Sequence, residues 1–150
     1  MQNNIFQDFA NSLINIEKIM INELPEVAEN IVVRVKARIF TGRGTEGVIM
    51  TTKSRVKIGR YGAWHGGNRR RRGLQTDVVN LEYTGKMMND YGVINKSRTS
   101  IGIGFKSDSE SEKMEENEKI YGFVIADVED AFIDSESDKY FDRVLKELGI

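Results

Sequence analysis

The apolar residues of this chain change their spacing twice, and that change restricts the fold more than any other feature. From Ile5 to about Asn22, the residues Ile5, Phe9, Leu13, Ile16, Ile19 and Met20 recur at three- and four-residue spacings, as on one face of an α-helix. "ELPEVAENIVVRVKARIF" (23–40) predicts a second helix. Pro25 suits a first helical turn, where its missing N–H costs nothing, and Val27, Ile31, Val35 and Ile39 repeat every four residues. Val33, Val35, Ala37 and Ile39 also alternate with Arg34, Lys36 and Arg38 in the manner of a strand. Pro25 and the length of the run favour the helix.

The period then shortens. "TGRGTEG" (41–47) is a turn-rich break, "VIMTT" (48–52) reads as a short strand, and "LQTDVVNLEY" (74–83) reads as another with Val78 and Val79 at its middle. "TGKMMNDYGVI" (84–94) predicts a turn or helical turn at 84–90 and a strand from Tyr91 to Ile94. "NKSRTS" is a hairpin connection, and "SIGIGF" returns as a strand with Ile101, Ile103 and Phe105 on one face. Its interleaved Gly102 and Gly104 permit close backbone approach. The acidic, serine-rich "KSDSESEKMEENE" (106–118) reads as a solvated loop passing into a helix through "EKIYGFVIADVE" (118–129). The helical period closes the chain: Tyr140, Phe141, Val144, Leu145 and Leu148 form one stripe, with Ser135 or Ser137 as an N-cap and a stop near Gly149. Repeats are absent. This order predicts one α+β domain over residues 1–150: N-terminal helices, an antiparallel sheet of about four strands with a long basic loop, and C-terminal helices.

A chain of 150 residues can bury a core without staples, and with no cysteine it has neither disulfides nor thiolate chemistry. The N-terminal stretch lacks a basic n-region, and no apolar run approaches the roughly 20 residues that span a bilayer. The expectation is a chain made in the cytoplasm, without a membrane partner. The net charge of −1 conceals segregation: residues 31–73 carry twelve Lys/Arg and one acid, a balance of +11, whereas 107–150 carry fourteen acids and five bases, a balance of −9. Blocks on this scale either steer partners or further copies of the chain, or neutralise each other within one monomer.

The basic block culminates in "GAWHGGNRRRRGLQT" (62–76), which holds the single tryptophan, Trp64, the single histidine, His65, and the run Arg69–Arg72. Its glycines make residues 59–73 read as a flexible loop. Tyr61, Trp64, Arg69, Arg70, Arg71 and Arg72 are the candidate functional residues. Two readings compete. Four guanidiniums can meet phosphates in a sequence-independent, salt-sensitive grip, making a small DNA- or RNA-binding module. Alternatively the loop orders against an acidic neighbour. Catalysis has little to draw on. One histidine and no cysteine leave triads and zinc sites without donors, and "GRGTEG" and "IGIGF" complete no phosphate-loop fingerprint. The acids of 107–118 lack a calcium-loop spacing. No catalytic residue, cofactor or metal site is assigned, and His65 reads as a surface residue.

In order and spacing, residues 25–150 resemble the small virion-morphogenesis proteins of tailed bacteriophages, known as tail-completion, neck or head–tail joining proteins. The resemblance runs through the helix ending in "KARIF", the glycine turn at 42–47, and the basic stretch with Tyr61 that ends in "RRRRG". It continues in "VVNLEYTGKMMNDYGVI", similar to the family's L-x-x-T-G-x-M/L signature, then "SIGIGF" and the tyrosine-bearing stretch before a closing amphipathic helix. Where many members carry an R-P-F link, this chain has "EDAFID" (129–134). The Thr84–Gly85 pair also has a physical reading as a structural turn, with Gly85 at positive φ and Met87 and Met88 filling a core edge. The resemblance implies a non-enzymatic structural protein of the virion neck. It would act as a ring of identical subunits in contact with other neck, connector and tail proteins, with possible non-specific contact to DNA in the channel.

Overall fold

The structure, a computed structural model, describes residues 5–50, 61–82, 84–97, 100–121 and 124–149. The N-terminal region forms one helix, α1 (Ile5–Phe40), of 36 residues with Pro25 inside it. The two helices expected on either side of Pro25 are therefore continuous. Phe9, Leu13, Ile16, Met20, Glu23, Val27, Asn30 and Arg34 alternate four- and three-residue steps without a phase break at the proline. Both halves thus share one face, although Pro25 gives up its backbone N–H bond.

A second face of α1 enters the core. Ala28, Val32, Val35 and Ile39 are buried, and Val32, Val35 and Ile39 cluster with Met50, Val79, Met88, Tyr91, Met114 and Ile125. These come from the turn after α1, the stretch before Asn80, helix α3 (Lys86–Asp90), strand β1 (Tyr91–Lys96), helix α4 (Asp108–Tyr121) and the segment that follows it. Strand β1 pairs antiparallel with β2 (Ile101–Phe105). Ile94 is the extra residue of a bulge between the Val93–Ile103 and Asn95–Gly102 pairs. The Tyr91 and Phe105 rings meet edge to face at 5.1 Å.

The chain is mixed helix and sheet, but the sheet among the described residues has two strands, not four. In the run expected as a strand at 48–52, Ile49 makes only an isolated bridge to Arg43, and residues 51–52 lie outside the described residues. The stretch 74–82 is irregular. Its backbone groups bond side chains rather than a neighbouring strand. The Gln75 amide accepts from the N–H groups of Asp77 (2.9 Å) and Val78 (3.2 Å) and donates to the Val78 carbonyl (3.0 Å). Gly42 at φ +77° lets the preceding turn lie on this stretch, where a Cβ would stand 2.8 Å from the Cβ of Val78.

The C-terminal region differs from expectation in the same way. The acidic run forms α4, and residues 124–129, expected to be helical, are irregular. Asp108 and Glu110 lie in the first turn of α4, where carboxylates suit the helix dipole. The segment after it is held by side chains. Glu118 accepts the N–H groups of Ile125 (2.7 Å) and Ala126 (3.0 Å). Arg38 donates to the carbonyls of Ile125 (2.6 Å) and Asp127 (2.5 Å), and the Tyr91 hydroxyl donates to that of Ala126 (3.1 Å).

The closing helix, α5 (Asp130–Leu148), starts after Glu129 rather than at a serine cap. It lies antiparallel on α1. Arg34 meets Glu129 at 3.4 Å, Asn30 donates to Glu136 at 2.9 Å, and Arg143 meets Glu23 at 3.1 Å. The expected single stripe divides: Tyr140 and Val144 are buried, whereas Phe141 and Leu145 face outward.

Candidate functional site

The segment expected as a flexible loop contains a helix, α2 (Ala63–Arg71), and this corrects the reading of residues 59–73; residues 59–60 lie outside the described residues. Two glycines inside nine residues weaken a helix, but two features offset them. Arg69, Arg70 and Arg71 occupy the last turn, where cations complement the helix dipole. The inner face is also fixed by tertiary contacts. Gly73 at φ +70° then ends the helix, with the Leu74 N–H bonded back to the Arg69 carbonyl at 3.0 Å.

Arg69 is the centre of that inner face and is 1% exposed. Its guanidinium donates to the carbonyl of Gln75 (2.8 Å), the carbonyl of Glu82 and the side-chain oxygen of Asn80 (3.1 Å). It also lies 4.2 Å from the centroid of the Tyr61 ring, an attractive cation–π geometry. The Tyr61 hydroxyl donates to the same Asn80 oxygen (3.1 Å) and accepts the Asn80 N–H (3.0 Å). On the helix side His65 stacks on Tyr61 at 5.0 Å. Burial pushes the Tyr61 phenol up despite the Asn80 hydrogen bond. Burial, with the Arg69 charge adding to it, pushes the His65 imidazole down. Leu81, between the two residues that meet Arg69, takes φ +57°, which few non-glycine residues adopt. Arg69 and Tyr61 therefore fasten the stretch 75–82 to α2, and neither is an exposed interface residue.

The outer face differs. Trp64 is 78% exposed, and Arg70, Arg71 and Arg72 are exposed as well. Trp64 and Arg71 are seven residues apart and share a face, and Arg71 donates to the Asn68 amide oxygen between them. The inner contacts hold this aromatic and cationic face in place. Thr84 and Gly85 lie elsewhere, at the start of α3. Gly85 has φ +75°, and the Thr84 hydroxyl accepts the Lys86 N–H at 3.3 Å.

Two further surfaces had no single marker in the sequence. On α5, Asp130, Asp134, Asp138 and Asp142 form an exposed row at four-residue steps, beside Phe141 (55% exposed) and Leu145 (44%). On α1, Phe9, Leu13 and Ile14 are 64, 51 and 50% exposed. Helix α5 ends at Leu148, five residues past the Arg143–Glu23 contact, and so stops short of them. Among the described residues no cluster of three metal-ligating side chains forms, and no helix is long and apolar enough to cross a membrane. The arrangement offers recognition: an oriented tryptophan with cations, an acidic face with apolar groups, and an uncovered apolar helix end. No family model, curated protein or solved structure matches the chain.

Proposed function

We propose that this chain is a non-enzymatic structural subunit of a tailed-bacteriophage particle. It joins head and tail at the neck as one member of a homo-oligomeric ring, made in the host cytoplasm and resident in the virion. The observation that carries the assembly role is the N-terminal end of α1, where every residue from Phe9 to Asn15 is exposed and the apolar spacing of the helix nonetheless continues. A helix face of this kind marks a protein–protein contact. The phage context comes from the ordered resemblance across residues 25–150, and the opposed charge blocks suit subunits that meet through different faces.

The direct test is to block translation of the gene in the phage that carries it and to examine the lysate by electron microscopy. DNA-filled heads and finished tails that fail to join are the expected result; intact infectious particles would refute the reading. A second reading, nucleic-acid binding by α2, is favoured by the exposure of Trp64 on the same face as Arg71, since bases stack on such a ring while cations meet phosphates. It requires an affinity for oligonucleotides that falls steeply with salt.

A further inference from the structure

The outer face of α5 combines features that its own helix does not explain. Phe141 and Leu145 are exposed while their neighbours Tyr140 and Val144 are buried. Asp130, Asp134, Asp138 and Asp142 run along the same side, exposed throughout, and like charges at this spacing repel one another. The helix offers this row few free cations: Arg143 pairs with Glu23 and Glu26 of α1, and the exposed Lys139 pairs with Glu136, while Lys146 follows Asp142 in the row. The outer face of α2 has the opposite character, with Trp64 as its apolar part and Arg71 as its charge, and with Arg70 exposed on its flank.

We propose that the outer face of α5 is the docking site for the outer face of α2 from a second copy of this chain. Trp64 covers Phe141 and Leu145, and Arg70 and Arg71 meet the aspartate row. This rests on the reading that the chain assembles with itself. Trp and Arg are the side chains that dominate protein interfaces, and the buried fastening of Arg69 presents them in fixed positions, which lowers the entropy lost on binding. The aspartate row gains counter-charges beyond the one its own Lys146 supplies, and copies with this pattern steer one another into contact.

Trp64 is the sole tryptophan, so its emission reports the contact directly. With the full chain at low salt, rising concentration is expected to shift Trp64 emission to shorter wavelength in parallel with association in sedimentation velocity. The exposed-site variants R70E/R71E and D138K/D142K, checked for native circular dichroism, are each expected to weaken self-association by about tenfold or more. Equal mixing of the two is expected to restore association, because the reversed faces complement each other. Wild-type association that neither reversal weakens, or that mixing does not restore, overturns the docking while leaving self-assembly standing. A chain that stays monomeric, with Trp64 responding to a single-stranded oligonucleotide instead, overturns the docking and the assembly reading together.

Discussion

Burying Arg69 takes a permanent charge out of water, and its partners are carbonyl and amide oxygens and the face of a tyrosine ring. Such a group contributes only while all its donors are engaged, because a broken contact leaves buried acceptors unpaired. Its neighbours Arg70 and Arg71 are exposed and carry no such obligation. Arg69→Ala is therefore expected to cost about 3 kcal/mol in urea unfolding. Arg70→Ala and Arg71→Ala should each stay within about 0.5 kcal/mol of wild type. Arg69→Lys supplies one ammonium in place of a fork and should recover only part of the loss. Equal costs across the run would show that Arg69 is not the fastener. Gly42 makes a second residue-scale demand. An alanine there needs the left-handed conformation and drives its Cβ to 2.8 Å from that of Val78. Gly42→Ala should cost about 2 to 4 kcal/mol, read from the shift of the urea midpoint at constant m-value.

At the scale of elements, α5 meets α1 in part through carboxylates whose ionisation is favoured in the folded state. Hydrogen bonds from Lys139 and then Asn30 hold Glu136 below the usual carboxylate value of 4.5, against some burial. Burial opposes the charge on Glu129, but its backbone hydrogen bond and the Arg38 and Arg34 guanidiniums bring it below 4.5 as well. A depressed folded pKa means that the unfolded chain takes up protons first as pH falls. This stabilisation is complete above the unfolded value and fades as pH drops through the folded ones. Urea midpoints measured from neutral pH downward should hold until about pH 5 and then fall, and Glu136→Gln should make that fall shallower. An unchanged acid slope in the variant would show that Glu136 does not couple α5 to α1. The elements themselves were unevenly legible. The hairpin was readable because Ile101, Ile103 and Phe105 alternate with Gly102 and Gly104 after the polar connection "NKSRTS". The irregular stretches were not. Arg69 reaches Glu82 across thirteen residues and Arg38 reaches Asp127 across eighty-nine, whereas periodicity sees only nearby positions. Val78 and Val79 therefore looked like a strand, although side chains had taken the hydrogen bonds of their segment. The candidate site was half legible for the same reason: the arginine run marked the place, but nothing local distinguished the buried Arg69 from its exposed neighbours.

At the scale of the molecule, α1 is about 54 Å long by the rise of a helix, and α5 covers only part of it. The side chains that secure the domain lie at Glu23, Asn30, Arg34 and Arg38 and on the buried face from Ala28 to Ile39. The exposed Phe9 and Leu13 lie on the continuation of the α5-facing side, beyond the reach of that helix. On the proposed function, stability and assembly are separated along one element, and substitutions at the two ends of α1 should have unlike effects. Phe9→Ser with Leu13→Ser removes apolar area from a surface that the single chain leaves in water, so the unfolding free energy of the monomer should change by no more than about 1 kcal/mol. The same pair should reduce self-association, measured by sedimentation velocity, and unlike the reversals on α2 and α5 this reduction should persist in high salt, because no charge has been altered. Val35→Ala in the core should do the opposite, costing about 2 kcal/mol of stability by opening a cavity where the side chain is fully buried. It should leave association intact under conditions in which the domain stays folded. If the double serine variant instead unfolded early while still associating, the N-terminal end of α1 would belong to the core of the domain and not to its contact surface.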